Sequence, residues 1–437
     1  MKHDMPHIQY AMTRRQFLRT ATVAAAGIMG VLTTPPAFAV KKPITLLSWN
    51  HFVPASDDEL RRQAEEFSKI HGAPVQVETI AYLQFPAKWA AEVNAQNGHD
   101  IVYMGGAFPW LYEKHLLPVD EIVDALGKTQ GGWYPFCEQS FHVNGIWRAV
   151  PWFWISFPAT YNETLFKKFG APVPDTWADV LAAGTTLKKA GHPVGIAVSH
   201  CADANATFWS INWCFGGVVL DKEGQVAIRS SQTEAAIEYY RELFDKAMGD
   251  EVLAWDDASN NRFILSGKGS WIHNPISPYN AALARNMPIA KQINHHTTPA
   301  GPAGRHNAPF IQALGIWKFA RNPEGAKEFL KYLYQPENFN KWIEASNAFN
   351  HGPLRAYEKH PIWATNPKFA MLPQEGNYGH PRGWPYRPSP EMARVDELYL
   401  LPDMVAKAIR EKNTKAALQW GEDQIVKIMK EAKDRPG

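Results

Sequence analysis

The 437 residues exceed what one hydrophobic core ordinarily supports, so two lobes or domains are expected. Apolar residues make up 45%, and 45 Lys and Arg nearly balance 43 Asp and Glu. That composition fits a compact globular protein and leaves no basic field to attract nucleic acid or anionic lipid.

In chain order, Thr13-Arg14-Arg15-Gln16-Phe17-Leu18-Arg19 comes first, followed by an alanine-rich apolar stretch, Ala21 to Leu32, and by Ala37-Phe38-Ala39. A basic region, a short apolar region and an A-x-A site make an export signal, residues 1–39. The paired arginines resemble a twin-arginine signal, which implies a periplasmic destination. The apolar run is too short for a membrane anchor, and Met12 stands just before the motif as an alternative start. Removing residues 1–39 takes away four basic residues and one acid, shifting the formal net charge from +2 to −1.

Ile44 to Trp49 reads as a strand. A helix follows from Asp57, with Leu60, Ala64, Phe67 and Ile70 on one face and Gly72 as its stop. Pro74 to Ile80 alternates as a second strand, 86–97 is helical, and Asp100 to Gly106 is a buried strand breaking at glycines. Strands alternating with helices predict an α/β lobe with a largely parallel sheet, whose ligands gather at the carboxyl ends of the strands. Trp49-Asn50-His51-Phe52 and Gly105-Gly106-Ala107-Phe108 sit at such ends.

Ala149 to Glu163 reads AVPWFWISFPATYNE. In a strand, Trp152 and Trp154 share one face and Phe153 takes the other. Either two packed surfaces meet there or one face lines a cavity. Thr176 with Asp179 has capping-box spacing, and 232–248 is an amphipathic helix carrying Ile237, Tyr240, Phe244 and Ala247. Residues 296–310 form a crossing or lid segment. Asn322-Pro323-Glu324 starts a helix with a buried stripe of Ala326, Phe329, Leu330 and Leu333. Residues 373–390 are loop-like, and the remainder is helical. Cys201 and Cys214 have the spacing for a short disulfide loop, but three cysteines without a C-x-x-C fit buried free thiols at least as well.

Several of these stretches, in this order, resemble the solute-binding proteins of ABC importers, in the maltose and multiple-sugar branch. They are Asp100-Ile-Val-Tyr-Met-Gly-Gly106, Ala149-Val-Pro151 with Tyr161-Asn162, Pro174-Asp-Thr-Trp177, the helix opened by Asn322, and Phe349-Asn-His-Gly-Pro353. The resemblance implies an α/β, two-lobed periplasmic binding protein of type II, with hinge crossovers and a cleft between the lobes. The first lobe would hold 40–150 and 305–348, the second 151–304 and 349–437. Crossings are expected near Val150–Pro151, Gly304–Phe310 and Phe349–Gly352. The partners implied are a small organic solute, a sugar or polyol, and the permease subunits of an importer with its cytoplasmic ATPase. A monomer without cofactor, metal or catalytic residues is expected.

Carried over position by position, the resemblance gives Trp49, Asn50, His51 and Phe108 in the first lobe as ligand contacts. Trp152 and Trp154 come at the hinge, Trp209, Asn274 and Tyr279 in the second lobe, and Trp384 in a late loop. Trp209 and Trp384 fit a core role equally well, and Asn274 fits a turn cap. Relatives place carboxylates after the first strands and at the hinge, where this chain has Gly-Gly-Ala-Phe and Ile155. A cleft poor in acids and rich in rings is therefore expected, suiting a flat or weakly polar solute. Arg355 and Arg387 are expected at the surface or on an anionic group, and His295-His296 in solvent. Two rival readings remain at this point: a glycan-processing enzyme, and a ferric-ion binder using Tyr239-Tyr240. A receptor-presenting sensory role uses the same cleft.

Overall fold

A computed structural model describes residues 41–433, and the export signal expected over 1–39 lies outside them. Eleven strands are present among the described residues: β1 (Ile44–Trp49), β2 (Val75–Ile80), β3 (Ile101–Gly105), β4 (His142–Val143), β5 (Ile146–Trp147), β6 (Val150–Ile155), β7 (Ala159–Asn162), β8 (Val194–Gly195), β9 (Trp271–His273), β10 (Ile293–His296) and β11 (Phe310–Ile316). Two sheets organise two lobes: β2-β1-β3-β11-β6 in the first and β10-β7-β9-β8 in the second.

The first sheet is parallel only through β2, β1 and β3. The strand β11 returns from the second lobe and therefore runs antiparallel to both β3 and β6. Its register sets Phe310 beside Ile155 and Gln312 beside Gly105. The start of β11 thus lies at the same sheet edge as the ends of β3 and β6. The helix before β2 spans Pro54–His71 and stops at Gly72, whose φ of 65° is the left-handed conformation glycine tolerates. It buries Leu60, Ala64 and Phe67, whereas Ile70 is exposed because it falls off that stripe in the last turn. Thr176 and Asp179 close their capping box, and the Asn322 side chain accepts from Gly325 N at 3.0 Å.

The β6 strand belongs entirely to the first sheet, so the chain first passes between sheets at Ser156–Pro158 rather than at Val150–Pro151. Consequently Trp152 and Trp154 pack within the first lobe. Trp152 stacks on Trp342, with ring centres 4.6 Å apart, and Trp154 stacks on His351 at 3.9 Å. The two-surface alternative is what the run AVPWFWI satisfies. The second passage is 297–309. The third is long: His351 pairs its backbone with Trp154, and Leu354, Tyr357, Trp363 and Leu372 join the first core. Met392, Val395 and Leu401 onward join the second.

Glu375, fully buried, ties the three passages together. Its carboxylate accepts from Thr298 N at 3.1 Å and from Asn307 Nδ2, and Asn307 also donates to Phe157 O at 3.4 Å. Burial raises the Glu375 carboxyl to about 7.

In the second lobe, helix Ala202–Cys214 is buried on every side. Three of its polar side chains make internal bonds: Thr207 to His273, Ser210 to Ala206 O, and Trp209 to Asp396. The three cysteines are buried free thiols. His295 and His296 are not in solvent. His295 bonds Thr160 Oγ1 at 3.0 Å, and His296 Nε2 accepts from Trp271 Nε1 at 2.8 Å. Their positions on β10, paired to β7, bury His295 and half-bury His296. No helix among the described residues is long and apolar enough to cross a membrane.

Candidate functional site

Two adjoining cavities lie between the lobes. They share Tyr82, Ala202, Phe310 and Gln312 and so form one cleft with two halves. The strand ends explain the first wall. Trp49 ends β1 and Phe52 follows it, Tyr82 follows β2, Gly106 to Phe108 follow β3, and Phe310 to Gln312 open β11. The opposite wall comes from the start of helix Ala202–Cys214, from Asp257 and Asn274 to Ser277, and from helix Pro390–Glu397 with Arg382 and Tyr399.

The inner half is aromatic, built from Trp49, Phe52, Tyr82, Tyr103, Phe310 and Phe349. The outer half is more polar, with Asn205, Arg382, Asp396 and Glu397. Four buried polar atoms on these walls have no partner among the described residues: Tyr103 Oη, Gln312 Oε1, Asn205 Oδ1 and Arg382 Nη1. Buried polar groups are normally bonded, because leaving one bare costs about 1–3 kcal/mol. Four of them on one cleft mark a surface built to bond something else. Gly105 makes room for one: a Cβ there would stand 2.3 Å from Gln312 Oε1.

The expectation of a cleft poor in acids is corrected. Asp203, Asp257, Asp396 and Glu397 all line it. Asp396 accepts from Trp209 Nε1 at 2.9 Å and lies 3.8 Å from Arg382 Nε. Burial raises its carboxyl against the pull of Arg382. Glu397 pairs with Arg394. Burial also raises Asp203, which feels the charge of Asp257, and burial raises Asp257 in turn.

Of the residues singled out from the sequence, Trp49, Phe108 and Asn274 line the cleft. His51 lies beneath it. Its Nε2 is 3.0 Å from Asn350 Oδ1, its Nδ1 accepts from Val53 N, and burial lowers its pKa to about 4, leaving it neutral. It packs 4.7 Å from Trp49 and so steadies that ring. Asn50 is exposed and outside the lining. Trp152 and Trp154 are in the first core, as described above. Trp209 is fully buried and reaches the cleft only by holding Asp396. Tyr279 faces a separate surface hollow, where its hydroxyl accepts from Asn366 Nδ2 at 2.7 Å. Trp384 stacks on His380 at 4.0 Å, away from the lining. Arg355 lies over Tyr134 and Arg387 over Trp110. Tyr239 donates to Trp177 O at 2.8 Å, and Tyr240 is buried beside it in the second core.

Tyr82, Phe310, Gln312, Arg382 and the four acids were not found from the sequence. Tyr82 follows a strand end and was open to the same reasoning as Trp49. Phe310 and Gln312 lie at the start of β11, where a rule about carboxyl ends does not look. Asp203 sits in a first helical turn, where an acid ordinarily needs no further reason.

Comparison with known proteins agrees with this geometry. The family described as bacterial extracellular solute-binding protein matches residues 54–338. A probable ABC transporter-binding protein of Deinococcus radiodurans is 24% identical over 331 residues, covering 70% of this chain and 76% of its own. Among solved structures, maltose-bound MalE3 of T. maritima is 20% identical with a TM-score of 0.77, covering 88% of this chain and 99% of that one. A sugar transporter from Arthrobacter chlorophenolicus with bound laminaribiose has a TM-score of 0.77 at 19% identity, covering 88% and 99%. A solute-binding protein from Agrobacterium radiobacter in complex with ribitol has a TM-score of 0.75 at 18% identity, covering 89% and 99%.

Proposed function

The chain belongs to the bacterial extracellular solute-binding proteins, and on that premise we propose that it captures a sugar or polyol between its lobes for an ABC importer. The observation that carries this reading is the set of four unpartnered buried polar atoms on a ring-lined cleft. Rings meet the C–H faces of such a solute, and Tyr103, Gln312, Asn205, Arg382 and the carboxylates of Asp396 and Glu397 meet its hydroxyls. Trp49, Phe108 and Asn274 remain in the contact set, with Tyr82 and Phe310 added to it. The first lobe is the body built on the sheet of β11 and β6, and the second is the body built on β7 and β9, with crossings at 156–158, 297–309 and within 373–391.

The solute touches both walls only when the lobes are together, so its differential affinity shifts the open–closed population. About 5 kcal/mol of differential binding inverts a strongly open equilibrium. Permease subunits with a cytoplasmic ATPase then receive the closed form. Export through the twin-arginine route to the periplasm, a monomeric state and the absence of catalysis complete the proposal.

Calorimetric titration with hexoses, disaccharides and pentitols tests it. One class is expected to bind with a 1:1 stoichiometry and to raise the melting temperature by the linkage RT ln(1 + [L]/Kd). Chemical conversion of a glycoside by the purified protein, without saturable binding of intact solute, would contradict it.

A further inference from the structure

We infer that the solute carries a protonated amine, held by Asp203 and Asp257 in the aromatic half of the cleft. This rests on the solute-capture reading above and narrows it to amino sugars or amino polyols.

Asp203 is 6% exposed, and its Oδ2 accepts from Asn260 Nδ2 while its backbone N–H donates to Asp257 Oδ1 at 3.2 Å. The two carboxylates therefore sit side by side on one wall. Every nearby acid has its cation: Asp256 has Arg262, Asp396 has Arg382 and Glu397 has Arg394. Among the described residues, Asp203 and Asp257 have no ion-pair partner. Removing two like charges from water without a counter-charge is costly. Burial accordingly raises both carboxyls.

A second observation, independent of the acids, points to a ligand in the same half. Gln312 Oε1 and Tyr103 Oη are unpartnered, and their residues are 2% and 1% exposed. Gln312 Oε1 together with the carboxylates leaves the inner half with a surplus of acceptors. An ammonium brings three donors and one positive charge, so it answers both the acceptor surplus and the uncompensated pair. The surrounding rings of Trp49 and Tyr82 add faces that attract a cation. A neutral hydroxyl in the same place supplies one donor and no charge. An anionic solute adds repulsion.

The test is paired calorimetry on the mature protein with glucosamine against glucose, galactosamine against galactose, and glucamine against sorbitol. The expected result is at least tenfold tighter binding of one amine than of its hydroxyl counterpart, weakened by added salt. In D203N and in D257N that preference should fall to within about twofold while the hydroxyl counterpart still binds; thermal melts confirm that each variant is folded. Equal or weaker binding of the amine, with its hydroxyl counterpart bound, overturns the inference and leaves sugar capture standing. If no member of any pair binds, the inference falls, and sugar capture falls with it when disaccharides and pentitols fail to bind as well.

Discussion

Replacing Glu375 by glutamine is expected to make the protein more stable at pH 8 and slightly less stable at pH 4.5. Glu375 is fully buried where the three inter-lobe passages meet, and its carboxyl rises from an ordinary 4.5 to about 7 because burial disfavours the anion. Two hydrogen bonds, from Thr298 and Asn307, and the charge of Arg305 work against that rise. Arg305 is itself engaged by Asp175 at 2.5 Å. A folded-state value above the unfolded one means the contribution to stability is complete below about 4.5 and is lost as pH rises through about 7. The span corresponds to about 3 kcal/mol. Glutamine is neutral throughout and removes that loss. It also gives up part of one hydrogen bond, about 1 kcal/mol at every pH. For a chain of this size, about 3 kcal/mol is on the order of 4 °C in melting temperature. Thermal melts of both proteins from pH 4.5 to 8.5 should therefore show the variant gaining on the parent by about that amount across the range. A difference that stays flat with pH, or a variant that falls further behind as pH rises, would refute the reasoning.

Three further outcomes are expected. Trp152→Ala should cost about 3–5 kcal/mol of stability, read by denaturant unfolding, while solute affinity stays within about twofold, because this ring packs on Trp342 and not on the cleft. Gln312→Ala and Gly105→Ala should each weaken solute binding about tenfold or more by calorimetry, and the double variant should lose little beyond either one. Both act through Gln312 Oε1, which a Cβ at Gly105 would displace. A reductant should leave the melting temperature unchanged, because Cys137, Cys201 and Cys214 are buried free thiols; a drop would reveal a disulfide.

The alternation of strand and helix from Ile44 to Gly106 was legible because each element there carries its own periodicity and stop signal, Gly72 being one. The order of motifs likewise led to the two-lobed architecture. The place where the chain changes lobe was not legible. AVPWFWI is apolar on both faces, and only its pairing with β11 shows that it is a buried strand of the first sheet. The cleft was legible where it follows a parallel strand, at Trp49 and Phe108. It was hidden where an antiparallel strand begins, at Phe310 and Gln312. The acids escaped for a different reason: Asp203, Asp257 and Asp396 come from three separate segments, so no local spacing announces that they converge.

Titration of the mature protein with a neutral or amino sugar that binds, followed by small-angle scattering, tests the central claim most directly. The account predicts a saturable fall in the radius of gyration that tracks occupancy and disappears in Gln312→Ala at the same solute concentration. Full occupancy with an unchanged scattering profile, or undiminished binding by that variant, would contradict it.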